Sequence, residues 1–237
     1  MLPNIDKIYI THWAKLIDRK KYLTERFKFL NIEDKVIWME KWDKRNCNSS
    51  EFTHLYEKGR IDLWVERGNI KHYQMDKNTY RDLCDAEIFN FLNHIECYKD
   101  AIKNNYEKIL ILEDDIILPD NFIENLNKYM EQLIKIPNWD AMFIGTYLKD
   151  ITHVKEPKQI TSHLFLTNSS NTVDSYILNT NTIKKILNSD IFPFVYPIDF
   201  EFNYWIKNLN LQVYWGMPGI THQGSLTHYK SSVTVKR

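Results

Sequence analysis

The stretch KILILEDDIILPDNF, residues 108–122, decides how this chain folds. Lys108 to Leu112 is isoleucine and leucine after its first residue, the pattern of a buried strand. Three carboxylates follow without a break: Glu113, Asp114 and Asp115. Ile116 to Leu118 is apolar again, and Pro119–Asp120 opens a helical stretch. Acids beside a buried strand are costly to desolvate unless positive charge meets them. On extended backbone the side chains alternate, so Glu113 and Asp115 share one side and Asp114 takes the other. Three acids on their own would read as a solvated charge run; their surroundings decide otherwise.

Outward from that stretch, elements alternate. IDKIYIT (5–11) and KVIWME (35–40) read as strands, with a helix over 18–30 between them. Residues 41–77 are polar and irregular, and are expected as a surface excursion. From Tyr80 to Asn104 the apolar residues Leu83, Ala86, Phe89, Leu92, Ile95, Tyr98 and Ile102 keep the spacing of a long core helix. After the acidic strand come a helix over about 121–134 and a strand at 139–145. Further strands are expected at 162–167 and 173–179. Asn179 or Thr180 caps a short helix. A helix over 198–210, a strand at 211–215 and a loop or lid over 216–237 complete a single domain spanning 1–237. This alternation predicts an α/β fold, with a mostly parallel, Rossmann-like sheet flanked by helices. Ligands of such sheets sit outside the carboxyl ends of the strands, where Glu113, Asp114 and Asp115 stand.

The bulk properties narrow the partners. Lys plus Arg and Asp plus Glu number 31 each in 237 residues, so nothing advertises nucleic acid or an anionic membrane. A hydrophobic content of 43% supports a proper core. Cys47, Cys84 and Cys97 lack CxxC spacing and are expected as free thiols of a reducing compartment. No signal peptide or bilayer-length apolar run is visible, so a soluble cytoplasmic protein is expected. The Ile-, Asn- and Lys-rich composition is compatible with a viral or bacterial origin. IFPFVYP (191–197) could pack in a homodimer, although a core edge is the plainer expectation.

Two more clusters bear on the acids. GITHQGSLTHYKSS (219–232) gathers His222 and His228 with Gln223, Gly224 and Ser225, residues able to complete a Mn²⁺ site or to cradle phosphate oxygens. VYPIDFEFNYW (195–205) places Asp199 and Glu201 in a first helical turn, where acids gain from the helix dipole and one could take a proton from a hydroxyl. Carboxylates suit Mg²⁺ or Mn²⁺, which usually take one or two of them plus substrate phosphates. Together the clusters point to a nucleotide-sugar site.

These blocks, in this order, resemble glycosyltransferase family 25, the lipopolysaccharide and procollagen galactosyltransferase group. IDKIYITHWAKLIDRKKYL (5–23) resembles its opening strand and AEIFNFLNHIECYKDAI (86–102) a helix with a Ser-His pair. YEKILILEDDIIL (106–118) is similar to its most recognisable motif. WDAMFIGT, VDSYILNTNTIKKIL, YPIDFEFNYW and PGITHQGS follow in sequence. The resemblance implies a GT-A fold and a metal-dependent, inverting transfer of a hexose, galactose ahead of glucose, from a UDP-sugar to a hydroxyl of a glycan or protein. It implies Mn²⁺ (or Mg²⁺) held by Asp115 with His222 and Glu113, and Asp199 as the base with Glu201 as its fallback. Asp114 would lie near the ribose or donor sugar, His12 and Arg19 at the nucleotide end, and Asn93 and His94 facing the donor. Gln223, Gly224 and Ser225 would line the phosphates, and Asp43 would reach the uracil or ribose. His12-Trp13 replaces the family's Asn-Leu, and Asn93 its Ser. A phosphoryl or nucleotidyl transferase is the alternative within enzymes, though the six glycines supply no phosphate loop at the first strand. A non-catalytic or degenerate carbohydrate-binding domain is the alternative outside them.

Overall fold

The computed structural model of the chain describes residues 2, 4–43, 45, 47–56, 83–145, 158–169, 172–226 and 229. In chain order its elements are β1 (Lys7–Thr11), α1 (Ile17–Phe29), β2 (Val36–Met39), α2 (Asp85–Lys103), β3 (Lys108–Glu113), β4 (Ile116–Ile117), α3 (Phe122–Leu133) and β5 (Ala141–Phe143). Then come β6 (Lys158–Gln159), β7 (Leu164–Thr167), β8 (Ser175–Asn179), α4 (Thr180–Leu187), α5 (Ile198–Asn208), β9 (Val213–Gly216) and β10 (His222–Gln223). Eight strands form one sheet in the order β2-β1-β3-β8-β5-β9-β7-β6, while β10 pairs with β4 apart from it.

The sheet is mostly parallel in strand direction, as the alternation predicted. β1 runs parallel to β2 and β3, and β5 parallel to β9. Two strands run against the others: β7, antiparallel to β9 and β6, and β8. β8 wedges antiparallel between β3 and β5, so its first residue, not its last, reaches the edge where β3 ends.

Burial on both faces explains the unbroken apolar run of β3. Ile109 and Ile111 join one core with Phe91, Leu92, Tyr98, Ile183, Phe202 and Trp205 from α2, α4 and α5. Leu110 and Leu112 join another with Leu23, Phe27, Phe122, Leu126 and Met130 from α1 and α3. Local signals set the helix ends. The backbone N–H of Cys84 donates to the Glu87 side chain at 2.9 Å at the start of α2, and the Asn179 side chain accepts from the Thr182 N–H at 2.9 Å to cap α4.

Of the expected 41–77 excursion, residues 57–77 lie outside the described residues. The part before them is anchored to the core. Trp42 meets Phe52 edge-on with centroids 5.0 Å apart, Leu55 and Tyr56 pack on the core of α2, and Tyr56 bridges Phe194. Among the described residues no helix is long and apolar enough to cross a membrane, and Cys47, Cys84 and Cys97 are free thiols.

Candidate functional site

β1 and β3 run in register to Thr11 and Glu113, so the loops after them leave the same edge of the sheet. Asp114 turns into that junction. Its carboxylate accepts from Arg19 Nη1 at 2.6 Å and from the Trp13 N–H at 3.2 Å, and lies 2.8 Å from His12 Nδ1. Arg19, His12 and Asp114 are all buried. Asp114 is thus charge-compensated by the chain itself, and it ties the β1 loop and α1 to the end of β3.

Glu113 turns instead to α2. Glu113 Oε1 accepts from Asn90 Nδ2 at 2.7 Å and lies 3.8 Å from His94 Nε2. The His94 ring is held from behind, its Nδ1 2.7 Å from the Tyr176 hydroxyl, which is 2.6 Å from that of Tyr98. Asp115 is 5% exposed, and burial together with the Glu113 carboxylate pushes its pKa up to about 6. The Ser225 hydroxyl donates to it, while Asp115 Oδ1 is buried without a hydrogen-bond partner.

The C-terminal stretch is laced to this point. β10 pairs with β4 through His222↔Ile117 and Gln223↔Ile116, and the Gly224 N–H donates to the Asp115 backbone carbonyl at 2.6 Å. A Cβ on Gly224 would stand 2.5 Å from that carbonyl oxygen, so only glycine permits the approach. The Tyr229 ring lies 5.2 Å from the Arg19 guanidinium. The expected lid is therefore pinned as far as its described residues go.

An acid that the sequence reading passed over stands opposite. Asp174 precedes antiparallel β8, and its backbone carbonyl accepts from the Glu113 N–H at 2.8 Å. Its side chain is 2% exposed and accepts from Thr172 Oγ1 at 2.6 Å, and its Oδ2 has no partner. Burial, and then Glu113 and Asp115, raise its pKa to about 7. Asn90 was also missed; it lies one helical turn before His94, and an i, i+4 polar pair on a core helix was the available signal.

Asp199 opens α5 half-buried, with its pKa pushed up to about 7 by burial and by the Glu113 carboxylate. Glu201 differs. It is 2% exposed, and its Oε1 accepts from the Val195 and Tyr196 N–H groups at 2.9 and 3.1 Å. That geometry makes it a clamp on the turn that presents Asp199, in place of the fallback base expected of it.

The remaining expected site residues divide. His94 faces Glu113, but Asn93 turns to Trp42, accepting from its N–H and donating to its carbonyl, both at 3.0 Å. Asp43 is buried, and although burial raises its pKa, hydrogen bonds from Arg45 and Trp13 more than offset this and hold it below the usual range. His222 is exposed on β10, and His228 lies outside the described residues. Among the described residues no three His, Cys, Asp or Glu side chains form a set able to hold a metal by themselves. The orphaned, buried Oδ1 of Asp115 nevertheless fits a divalent cation that draws its other ligands from a substrate's phosphates and water.

An acid-lined edge on a mostly parallel α/β sheet is the setting in which comparison with known proteins becomes informative. Residues 5–200 match glycosyltransferase family 25 (LPS biosynthesis protein), and the chain belongs to that family. Mouse procollagen galactosyltransferase 2 is 26% identical over 200 residues, covering 82% of this chain and 29% of the mouse protein. Procollagen lysyl hydroxylase and glycosyltransferase of Acanthamoeba polyphaga mimivirus is 25% identical over 179 residues, 66% of this chain and 19% of that one. Mouse inactive glycosyltransferase 25 family member 3 is 26% identical over 141 residues, 59% and 22%. The chain spans less than a third of the length of these relatives.

Proposed function

We propose that this chain is a metal-dependent, inverting glycosyltransferase that moves a hexose, galactose before glucose, from a UDP-sugar to a hydroxyl of a glycan or protein. One observation carries the reading. A buried carboxylate oxygen without a partner, on Asp115, shares the carboxyl edge of the sheet with Asp199, an acid raised to about 7. A group that binds a cation and a group poised to take a proton are the two parts such a transfer needs.

Asp115 would hold the cation, with Glu113 beside it, and the metal when bound would supply neutralisation of the departing diphosphate. Asp199 would accept the proton of the acceptor hydroxyl. Its raised pKa keeps it basic enough for that task near neutral pH. Asp114 serves differently: paired with Arg19 and His12, it holds the loop that would carry the nucleotide. Ser225 and Gly224 stand against Asp115, the hydroxyl of one on its carboxylate and the N–H of the other on its backbone carbonyl, where they would brace the cation ligand. The similarity to procollagen galactosyltransferases supports galactose ahead of glucose in this reading.

A second reading has support among the relatives, since three of them are named inactive or probably inactive family members. One assay separates the two. UDP release is measured from a panel of UDP-sugars, with and without Mn²⁺, for the wild type and for Asp115→Ala. Mn²⁺-dependent release from one donor, abolished in the variant, is expected. No release from any donor, with no metal-dependent UDP binding by calorimetry, would refute the transferase reading.

A further inference from the structure

We propose that Asp174 is a second cation ligand, facing Asp115 across the end of the sheet, so that the metal is held between β3 and the strand antiparallel to it. The inference rests on the metal-dependent reading above and extends it to a residue that neither spacing nor resemblance singled out. Two carboxylates, each at least nine-tenths buried, keep one oxygen apiece without a partner, Asp115 Oδ1 and Asp174 Oδ2. Their backbones are joined through β3, because the Glu113 N–H binds the Asp174 carbonyl while Asp115 follows two residues later. Both side chains lie in the field of the Glu113 carboxylate. A buried acid without a counter-charge is expensive, and two of them aimed at one edge are relieved together by one divalent ion. Mg²⁺ and Mn²⁺ commonly take two protein carboxylates and fill the remaining positions with phosphate and water.

Gly145 adds an independent mark of design. A Cβ there would stand 2.7 and 2.8 Å from the two carboxylate oxygens of Asp174. Gly145 is not in the left-handed region, so its backbone does not require glycine. The three atoms nearest to that position all belong to the Asp174 carboxyl group. Thr172 Oγ1 steadies Oδ1 at 2.6 Å, which leaves Oδ2 for a ligand.

The test is Mn²⁺ binding by calorimetry, with and without UDP, for the wild type, Asp115→Asn, Asp174→Asn and Gly145→Ala. The expected result is at least a tenfold loss of Mn²⁺ affinity in Asp174→Asn and in Gly145→Ala, in line with Asp115→Asn. Wild-type affinity in Asp174→Asn, alongside loss in Asp115→Asn, would overturn the inference and leave the transferase reading standing. No Mn²⁺ binding by the wild type would overturn both. Melting of the metal-free proteins guards against a folding artefact. Asp174→Asn is expected to melt at or above the wild-type temperature, and a clear drop would show a packing role and overturn the inference.

Discussion

Asp114 and Asp115 are adjacent, identical in chemistry and both buried, yet removing them should have opposite consequences. Asp114→Ala removes the carboxylate bonded at 2.6 Å to Arg19, which is 5% exposed, and with it an acceptor of the Trp13 N–H. Breaking a buried pair from one side leaves an uncompensated charge and costs about 3–5 kcal/mol. Against a total stability on the order of 5–15 kcal/mol, that is a large share. At a slope of roughly 2–3 kcal/mol per molar urea, the unfolding midpoint should fall by roughly 1–2.5 M. Asp115→Ala removes a carboxylate that feels Arg19 only through its field, an attraction smaller than the cost of burial and the repulsion of Glu113. It forfeits the Ser225 hydrogen bond, about 1 kcal/mol, and relieves the strain that raises the pKa to about 6. In EDTA near pH 8 its midpoint should stay within about 0.5 M of the wild type or rise. Equal and large losses in both variants would refute the division between a compensated and an uncompensated acid. So would a loss under about 1 kcal/mol in Asp114→Ala, the value of an exposed pair.

Three further outcomes follow from the same geometry. Asp115, Asp174 and Asp199 have folded pKa values raised to about 6, 7 and 7. The folded protein therefore binds protons more tightly than the unfolded chain. Metal-free stability should be greatest below about pH 4 with respect to these groups and be lost as pH rises to about 7. Asp174 alone contributes on the order of 4 kcal/mol to that trend at about 1.4 kcal/mol per unit, and pH-dependent urea unfolding with and without Asp174→Asn reads it. Asp199→Asn should lower kcat about 10²–10⁴-fold while the donor KM changes only a few-fold, measured by UDP release. Glu201→Ala leaves the buried Val195 and Tyr196 N–H groups unmet and should cost about 2–4 kcal/mol, whereas Glu201→Gln, which keeps an acceptor oxygen, should retain most of that stability.

Much of this fold was legible because burial writes itself into residue type. β3 is apolar from Ile109 to Leu112 since both of its faces are covered there, and α2 keeps its core spacing for five turns. The direction of β8 was not legible, because alternation and apolarity are the same for a strand read either way. An antiparallel β8 brings Asp174 to the edge where β3 ends; a parallel one would have carried it to the far side. Side-chain reach hid the rest. Glu201 and Asp199 look equivalent in a first helical turn, and only the path of Val195 and Tyr196 shows which one the backbone consumes. On α2 the face toward the acids is set by Asn90 and His94, while Asn93 is rotated onto Trp42.

The distribution of charge argues for an incoming cation independently of any single residue. Among the described residues around the edge, the basic groups are already engaged: Arg19 by Asp114, Arg45 by Asp43, Lys20 by Glu40. Asp115 and Asp174 each retain an oxygen without a partner, and Glu113 is met by an amide, with the nearest imidazole nitrogen 3.8 Å away. The raised pKa values of Asp115 and Asp174 are the same fact in another form, since the free protein takes up protons there in place of positive charge. A substrate that arrives with a divalent ion would release those protons. Donor binding should therefore tighten as pH rises through about 6–7, and a proton count from calorimetry in buffers of different ionisation enthalpy would measure it. Binding of Mn²⁺ and UDP with no proton released at pH 6 would mean that the carboxylates are not where the positive charge goes.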